Sequence, residues 1–151
     1  MLQVYLAGPI SGLPLNDAAE WRTRAKLILD RNGYWCINPI RGKHPSNADQ
    51  SIVVNGQNLL YGPNFGPKSV FKRDKHDVER SDILLVNLTG ATHVSIFTMM
   101  ELAWAEEWNK FVLTVMEEGN IHEHAAVREA STLVVPTLED AIKYLTEVHN
   151  Q

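Results

Sequence analysis

The stretch Asp82-Ile83-Leu84-Leu85-Val86-Asn87-Leu88 (DILLVNL) decides how the chain folds. Its four consecutive aliphatic residues, closed by polar ones on either side, read as a short strand covered on both faces. Working outward, similar runs recur at 2–8 (LQVYLAG), 34–39 (YWCINP), 111–116 (FVLTVM) and 132–136 (TLVVP). Segments with helical character lie between and after them, at 16–33, 70–81, 93 to about 110, 121–131 and 137–150. Asn16 and Gly33 have the residue types of an N-cap and a C-cap. Apolar strands alternating with helices predict an α/β fold: a doubly wound, five-stranded parallel sheet of Rossmann-like or flavodoxin-like order. The expected organisation is one domain over residues 1–151. The pattern fails only from Arg41 to about Lys68, where Gly, Pro, Asn and Ser dominate, and a connection of that length reads as a functional loop or lid.

Composition narrows the function. A chain of 151 residues with 44% hydrophobic and 21% charged residues is an ordinary globular balance with enough interior for a core. A net charge of -4 argues against nucleic acid or an anionic membrane as partner. No apolar run approaches the roughly 20 residues that span a bilayer. The start, MLQVYLAGPISG, carries no basic leader, so no signal peptide is expected. Cys36 is the single cysteine. It forms no internal disulfide, reads as core filler and fits a reduced, cytoplasmic protein.

In such a fold, ligands bind beyond the carboxyl ends of the strands, near the topological switch. The turn AGPISG (7–12), Asn38-Pro39 and the residues after Leu88 all fall on that edge. Gly8 and Gly12 let the backbone approach a ligand, although the turn lacks both the dinucleotide and the P-loop spacing. Asp74 and Asp77, three apart, share one face of a helix, which fits a solvated charged surface as well as a site. Asp82, opening a strand, reads as structural. Glu101 stands out because its helical neighbours Phe97, Thr98, Trp104 and Ala105 would strip water from a carboxylate. An unpaired carboxylate there costs several kcal/mol, roughly, so it is paired, protonated or used. His122-x-His124 is too loose a match to imply a metal.

Three segments together resemble the nucleoside 2-deoxyribosyltransferase family, including its branch that hydrolyses nucleoside 5′-monophosphates. They are VYLAGPISG (4–12), RDKHDVERSDILLVNL (73–88) and SIFTMMELAWA (95–105). The last is similar to the family's S-x-G-T-x-x-E-L pattern at Ser95, Thr98, Glu101 and Leu102. The resemblance implies Glu101 as the nucleophile toward the anomeric carbon, Asp74 as the acid/base carboxylate and Tyr5 as an aromatic hydroxyl beside the nucleophile. It implies a sugar- and phosphate-facing loop of Gly8, Pro9, Ile10, Ser11 and Gly12. Ser95 takes the position that contacts a 5′-phosphate in monophosphate-hydrolysing members. Family members are oligomers with shared pockets, and the segment 120–126, with His124, is the part of this chain suited to that role. The implied substrate is a small nucleoside or nucleotide, with no cofactor and no metal. Two positions depart from the pattern: Phe97 replaces the family Gly, and Pro9 stands where a hydroxyl is offered, with Ser11 as a substitute.

The chemistry accounts for Glu101. Breaking an N-glycosidic bond develops positive charge on the sugar. A carboxylate close to that carbon stabilises the charge and can trap it covalently. The same residues fit a transferase moving 2-deoxyribose between bases, a hydrolase of nucleoside 5′-monophosphates, or a nucleotide-binding module without turnover. The phosphoribohydrolases that share a T-x-x-E element are a poorer match, because their glycines before Thr98 are missing.

Overall fold

The computed structural model describes residues 1–41, 44–45, 59–60 and 66–149. Five strands, β1 (Gln3–Ala7), β2 (Trp35–Ile37), β5 (Ile83–Asn87), β6 (Phe111–Val115) and β7 (Leu133–Val135), form one sheet in the order β2-β1-β5-β6-β7. Every pairing in it is parallel, with Tyr5 opposite Leu84 and Leu85 opposite Leu113. Two further short strands, β3 (His44–Pro45) and β4 (Leu59–Leu60), pair antiparallel with each other. The rest of the loop expected at 41–68 lies largely outside the described residues.

Strand alternation sorts the core into two layers. Val4, Leu6, Ile83 and Leu85 face α1 (Leu15–Arg31) and α5 (Leu138–Tyr144), where Ala25, Leu29, Ala141 and Ile142 meet them. Tyr5, Ala7, Leu84 and Val86 face the opposite way, toward α2 (Pro67–Arg80), α3 (Ile96–Glu107) and α4 (Ala125–Glu129). Helices cover both faces, so the doubly wound reading holds. Cys36 is 5% exposed, and burial, reinforced by Asp30, pushes its thiol up to about 12. It is a protonated core residue.

The helix ends differ in detail from the sequence reading. Pro14, not Asn16, precedes α1, because Pro supplies a helix-ready φ and needs no amide partner. Asn32 closes the helix, and Gly33 follows at φ 84°, the left-handed geometry that glycine adopts without steric cost. The third helix begins at Ile96 rather than His93, leaving residues 88–95 as a loop above the sheet. After α5 the chain widens into one π-helical turn, Leu145–His149.

Candidate active site

The two residues that begin the site come from neighbouring elements on one side of the sheet. Tyr5, in the middle of β1, is wholly buried, and Glu101, in the second turn of α3, is 3% exposed. The Tyr5 hydroxyl donates to Glu101 Oε1 at 2.5 Å. Burial, then the charges of Glu101 and Asp74, hold the Tyr5 phenol well above its ordinary pKa. It therefore stays protonated and donates to the carboxylate.

Asp74 enters from α2 and is fully buried, which excludes the solvated-face reading of that helix. Its Oδ1 accepts from Arg73 Nε at 3.0 Å and Nη2 at 2.7 Å. Arg73 also donates to the carbonyls of Pro39 and Arg41, which ties α2 to the end of the β2 segment. Asp77, three residues on, is a different kind of carboxylate. It bonds Arg41 and Arg80, and its carbonyl accepts from the Ser81 hydroxyl. That pairing fixes helix position. Asp82 accepts from the Gln3 amide at 2.8 Å, the structural role expected of it.

A cation that sequence reasoning missed completes the electrostatics. Arg22 is 0% exposed, and its guanidinium donates to three carbonyls: Leu6 at 3.1 Å, Gly8 at 2.8 Å and Ala18 at 2.5 Å. Burial lowers its pKa to about 10, opposed by the charges of Glu101, Tyr5 and Asp74. It remains protonated at neutral pH, so the buried carboxylates have a buried positive charge nearby. The available signal was its spacing. Ala18, Arg22, Ala25 and Leu29 form the buried stripe of α1, and a charged residue on such a stripe needs a partner.

The loop after β1 closes over the sheet edge. A Cβ on Gly8 would stand 2.6 Å from the Asn87 carbonyl oxygen, so only glycine fits there. Pro9, Ile10 and Ser11 are half-buried, and Gly12 is exposed at φ 84° with the His93 ring where a Cβ would go. His93 Nε2 lies 3.2 Å from the Ser11 carbonyl, joining this loop to the one before α3.

At the start of α3, Ser95 occupies the N-cap position, but its side chain makes no cap hydrogen bond. Its hydroxyl pairs instead with that of Thr98 at 2.8 Å. The Ser95 amide donates to His122 Nε2 at 3.0 Å, which leaves the His122 proton on Nδ1, beside Asn120 Oδ1 at 3.0 Å. Asn120 in turn donates to the Leu88 carbonyl and to Glu117, whose other oxygen accepts from the Gly90 amide. Burial, then His93, lowers the His122 pKa, in keeping with a neutral acceptor ring. The two histidines of the H-x-H element thus part ways. His122 is buried, while His124 is exposed and caps α4 by accepting from the Ala126 amide at 3.1 Å.

Phe97, one of the two departures from the family pattern, packs sideways. Its ring lies 5.7 Å from Phe71 of α2 and 5.9 Å from Trp104, and those two rings are 5.4 Å apart. Lys75 sits over Trp104 at 5.2 Å. The ring belongs to the α2–α3 contact.

The structure therefore brings Tyr5 and Glu101 into direct contact, with Asp74 close enough to act on the same phenol. It sets Ser95 and Thr98 together at the start of the Glu101 helix and His124 apart from them, at the head of α4. Such an arrangement offers one carboxylate held by a phenol, a second held by a guanidinium, and a hydroxyl pair for an anionic or polar tail.

The family model described as nucleoside 2-deoxyribosyltransferase matches residues 4–135. No curated protein matches the sequence. Among solved structures, the chain is similar to the 2-deoxyribosyltransferase of Bacillus psychrosaccharolyticus, at 18% identity over 94% of this chain and 91% of that one, with a TM-score of 0.67. It is similar to the 2-deoxyribosyltransferase of Leishmania mexicana at 16% identity, 99% of both chains and a TM-score of 0.66. A third likeness is to the CMP N-glycosidase BcmB of Clostridium botulinum, at 15% identity, 95% of this chain, 97% of that one and a TM-score of 0.59. At these identities the likeness is one of fold.

Proposed function

Because the chain belongs to the nucleoside 2-deoxyribosyltransferase family, we propose that it cleaves the N-glycosidic bond of a (deoxy)nucleoside or nucleotide and transfers the sugar to another base. The observation that carries this reading is the 2.5 Å hydrogen bond from Tyr5 to a buried Glu101. In the forward step a Glu101 oxygen bonds to the anomeric carbon as the carbon–nitrogen bond breaks. The bonding pair leaves with the base, and Asp74 manages the proton on that nitrogen. An acceptor base then attacks the same carbon and releases the Glu101 carboxylate. Two inversions give net retention, as in retaining glycosidases. Tyr5 orients the nucleophile, and Arg22 offsets the negative charge gathered around it.

A second reading, hydrolysis of a nucleoside 5′-monophosphate, is favoured by the Ser95–Thr98 hydroxyl pair. It lies at the amino end of α3 and is not spent on capping. A helix amino end attracts anions. In that version water replaces the acceptor base, and Gly8, Pro9, Ile10, Ser11 and Gly12 line the sugar phosphate with Ser95 and Thr98. The protein works as a homo-oligomer in which a neighbouring copy completes the pocket through residues 120–126, His124 included. Exposed Ile121, Val94 and Ile96 are apolar side chains suited to that contact.

Incubation with each deoxynucleoside and its monophosphate, with and without an acceptor base, tests the proposal. Exchanged nucleoside on chromatography supports the transferase, and free base with sugar phosphate supports the hydrolase. Absence of base release from every substrate would reduce the protein to a binding module.

A further inference from the structure

On the far side of the sheet edge from Glu101 lies a cavity of about 330 Å³, between the β1–α1 loop and the β5–α3 loop. It belongs to the other face. Ile83 and Leu85 point into the α1 core layer, so Asn87, next in that alternation, points the same way, opposite to Tyr5. Asn87 is 8% exposed and lines the cavity. Its Oδ1 accepts from the Thr89 amide at 3.2 Å and from the Thr89 hydroxyl at 2.7 Å. A backbone amide only donates, so the orientation of the Asn87 side chain is fixed and Nδ2 is its remaining group. Among the described residues Nδ2 has no hydrogen-bond partner. Nδ2 is not sealed from solvent, so its two N–H donors are available to a ligand oxygen that takes the place of water in the cavity.

The rest of the wall has a matching character. The Trp21 indole lines the cavity and is clamped by the Arg22 guanidinium, 4.4 Å from the ring centroid. Asp17, on the first turn of α1, adds an exposed carboxylate at the rim. His93 forms part of the wall and bridges the two loops through the Ser11 carbonyl, so the cavity has fixed sides. Its volume is near the lower end of the roughly 300–1,000 Å³ of small-molecule sites. A rigid aromatic wall, a donor pair and a carboxylate acceptor suit a small flat heterocycle that carries both a carbonyl and an N–H.

We propose that this cavity is a second ligand site that binds a free nucleobase, on the opposite face of the sheet from Glu101 and sharing with the proposed substrate lining only Pro9 of the β1–α1 loop. The assignment of a base, rather than another lactam-like ring, rests on the reading of the protein as an enzyme that releases and accepts bases. The base places its carbonyl on Asn87 Nδ2, presents an N–H to Asp17 and lies against Trp21.

Hypoxanthine is a suitable probe, titrated into the full ¹⁵N-labelled chain carrying Glu101→Gln. The Asn87 side-chain amide and Trp21 indole resonances should shift together and saturate. Asn87→Asp keeps the acceptor for Thr89 and removes the donor pair, so hypoxanthine should bind at least tenfold more weakly by the indole signal. Asp17→Asn, on the exposed rim, should weaken it as well and serves if Asn87→Asp fails to fold. Shifts confined to residues around Glu101, or affinity unchanged in both variants, would overturn the site. Base release in the catalytic assay reads on the function alone, so the two readings can fail separately.

Discussion

The Tyr5 hydroxyl donates to Glu101 Oε1 across 96 residues of sequence, joining the first strand of the sheet to the third helix. Both residues are buried, so solvent does not replace that donor when it is removed. Tyr5→Phe should keep the fold and lose one hydrogen bond to a charged group, worth about 1.5–3 kcal/mol. At about 1.4 kcal/mol per decade this is a 10- to 100-fold fall in kcat/KM. Glu101→Gln should abolish turnover altogether. Equal kcat/KM in Tyr5→Phe and the native protein would deny the phenol its orienting role.

Ser95→Ala separates the two enzymatic readings. The Ser95 hydroxyl bonds Thr98 rather than a helix amide, so its loss removes no cap. If the pair holds a 5′-phosphate, KM for the monophosphate should rise by about 10-fold or more, since a charge-assisted bond is lost. The unphosphorylated nucleoside should hardly notice. Steady-state kinetics on the two substrates decide the matter, and parallel losses would exclude phosphate contact.

Arg22 offers a test of the buried charge balance. Arg22→Met leaves the carbonyls of Leu6, Gly8 and Ala18 without their donor and the buried carboxylates without their nearby cation. Removing one side of a buried charge arrangement costs about 3–5 kcal/mol. For a chain of this size that lowers Tm by roughly 10 °C. Arg22→Lys, which keeps the charge but not the fork, should lose less. A melting curve unchanged by Arg22→Met would show the guanidinium to be dispensable.

Much of this was legible in the sequence, for identifiable reasons. Continuous apolar runs gave every strand of the main sheet, because strands buried on both faces cannot tolerate alternation. Glu101 was conspicuous for the same reason, as a charge among apolar neighbours. Arg22 was hidden because α1 carries charges on most turns, and only the 18-22-25-29 spacing marks the buried ones. Leu27 shows the converse, an aliphatic residue of the same helix that is 52% exposed. The path from Glu117 through Asn120 and His122 to the Ser95 amide was beyond sequence reading. It depends on loop backbone that brings residues 27 apart within hydrogen-bond distance. The aromatic grouping of Phe71, Phe97 and Trp104 likewise needs the crossing of α2 and α3, which periodicity within one helix does not specify.

His122 predicts the acid behaviour of the site. Its folded pKa is lowered by burial and by His93, against an unfolded value of about 6.5. A lowered histidine favours the neutral folded form, so its contribution is complete above the unfolded pKa and is lost as pH falls through the folded one. Protonated Nε2 can no longer accept from Ser95. Stability should therefore drop as pH falls below the unfolded value of about 6.5, and Ser95 amide exchange should quicken as it does. In His122→Asn, which does not titrate there, the drop should shrink. A melting profile with the same slope in both proteins would assign the acid response to other groups.

Phe97 is one of the two positions that depart from the family pattern the sequence resembles, and the structure gives its ring an occupation. It is half-buried and packed on Phe71 and Trp104, so it fills the α2–α3 seam one turn before Glu101. Phe97→Gly should cost about 1 kcal/mol in helix propensity. The lost packing adds to this, short of the roughly 3–5 kcal/mol of a fully buried Phe. Asp74 follows Phe71 by three residues on α2, so loosening this seam should also lower kcat without widening the range of sugars accepted. Thermal melting with a panel of ribo- and deoxyribo-substrates reads both effects. A variant that keeps its Tm and gains bulkier substrates would mean the ring faces the pocket, and the seam would then be held by Phe71 and Trp104 alone.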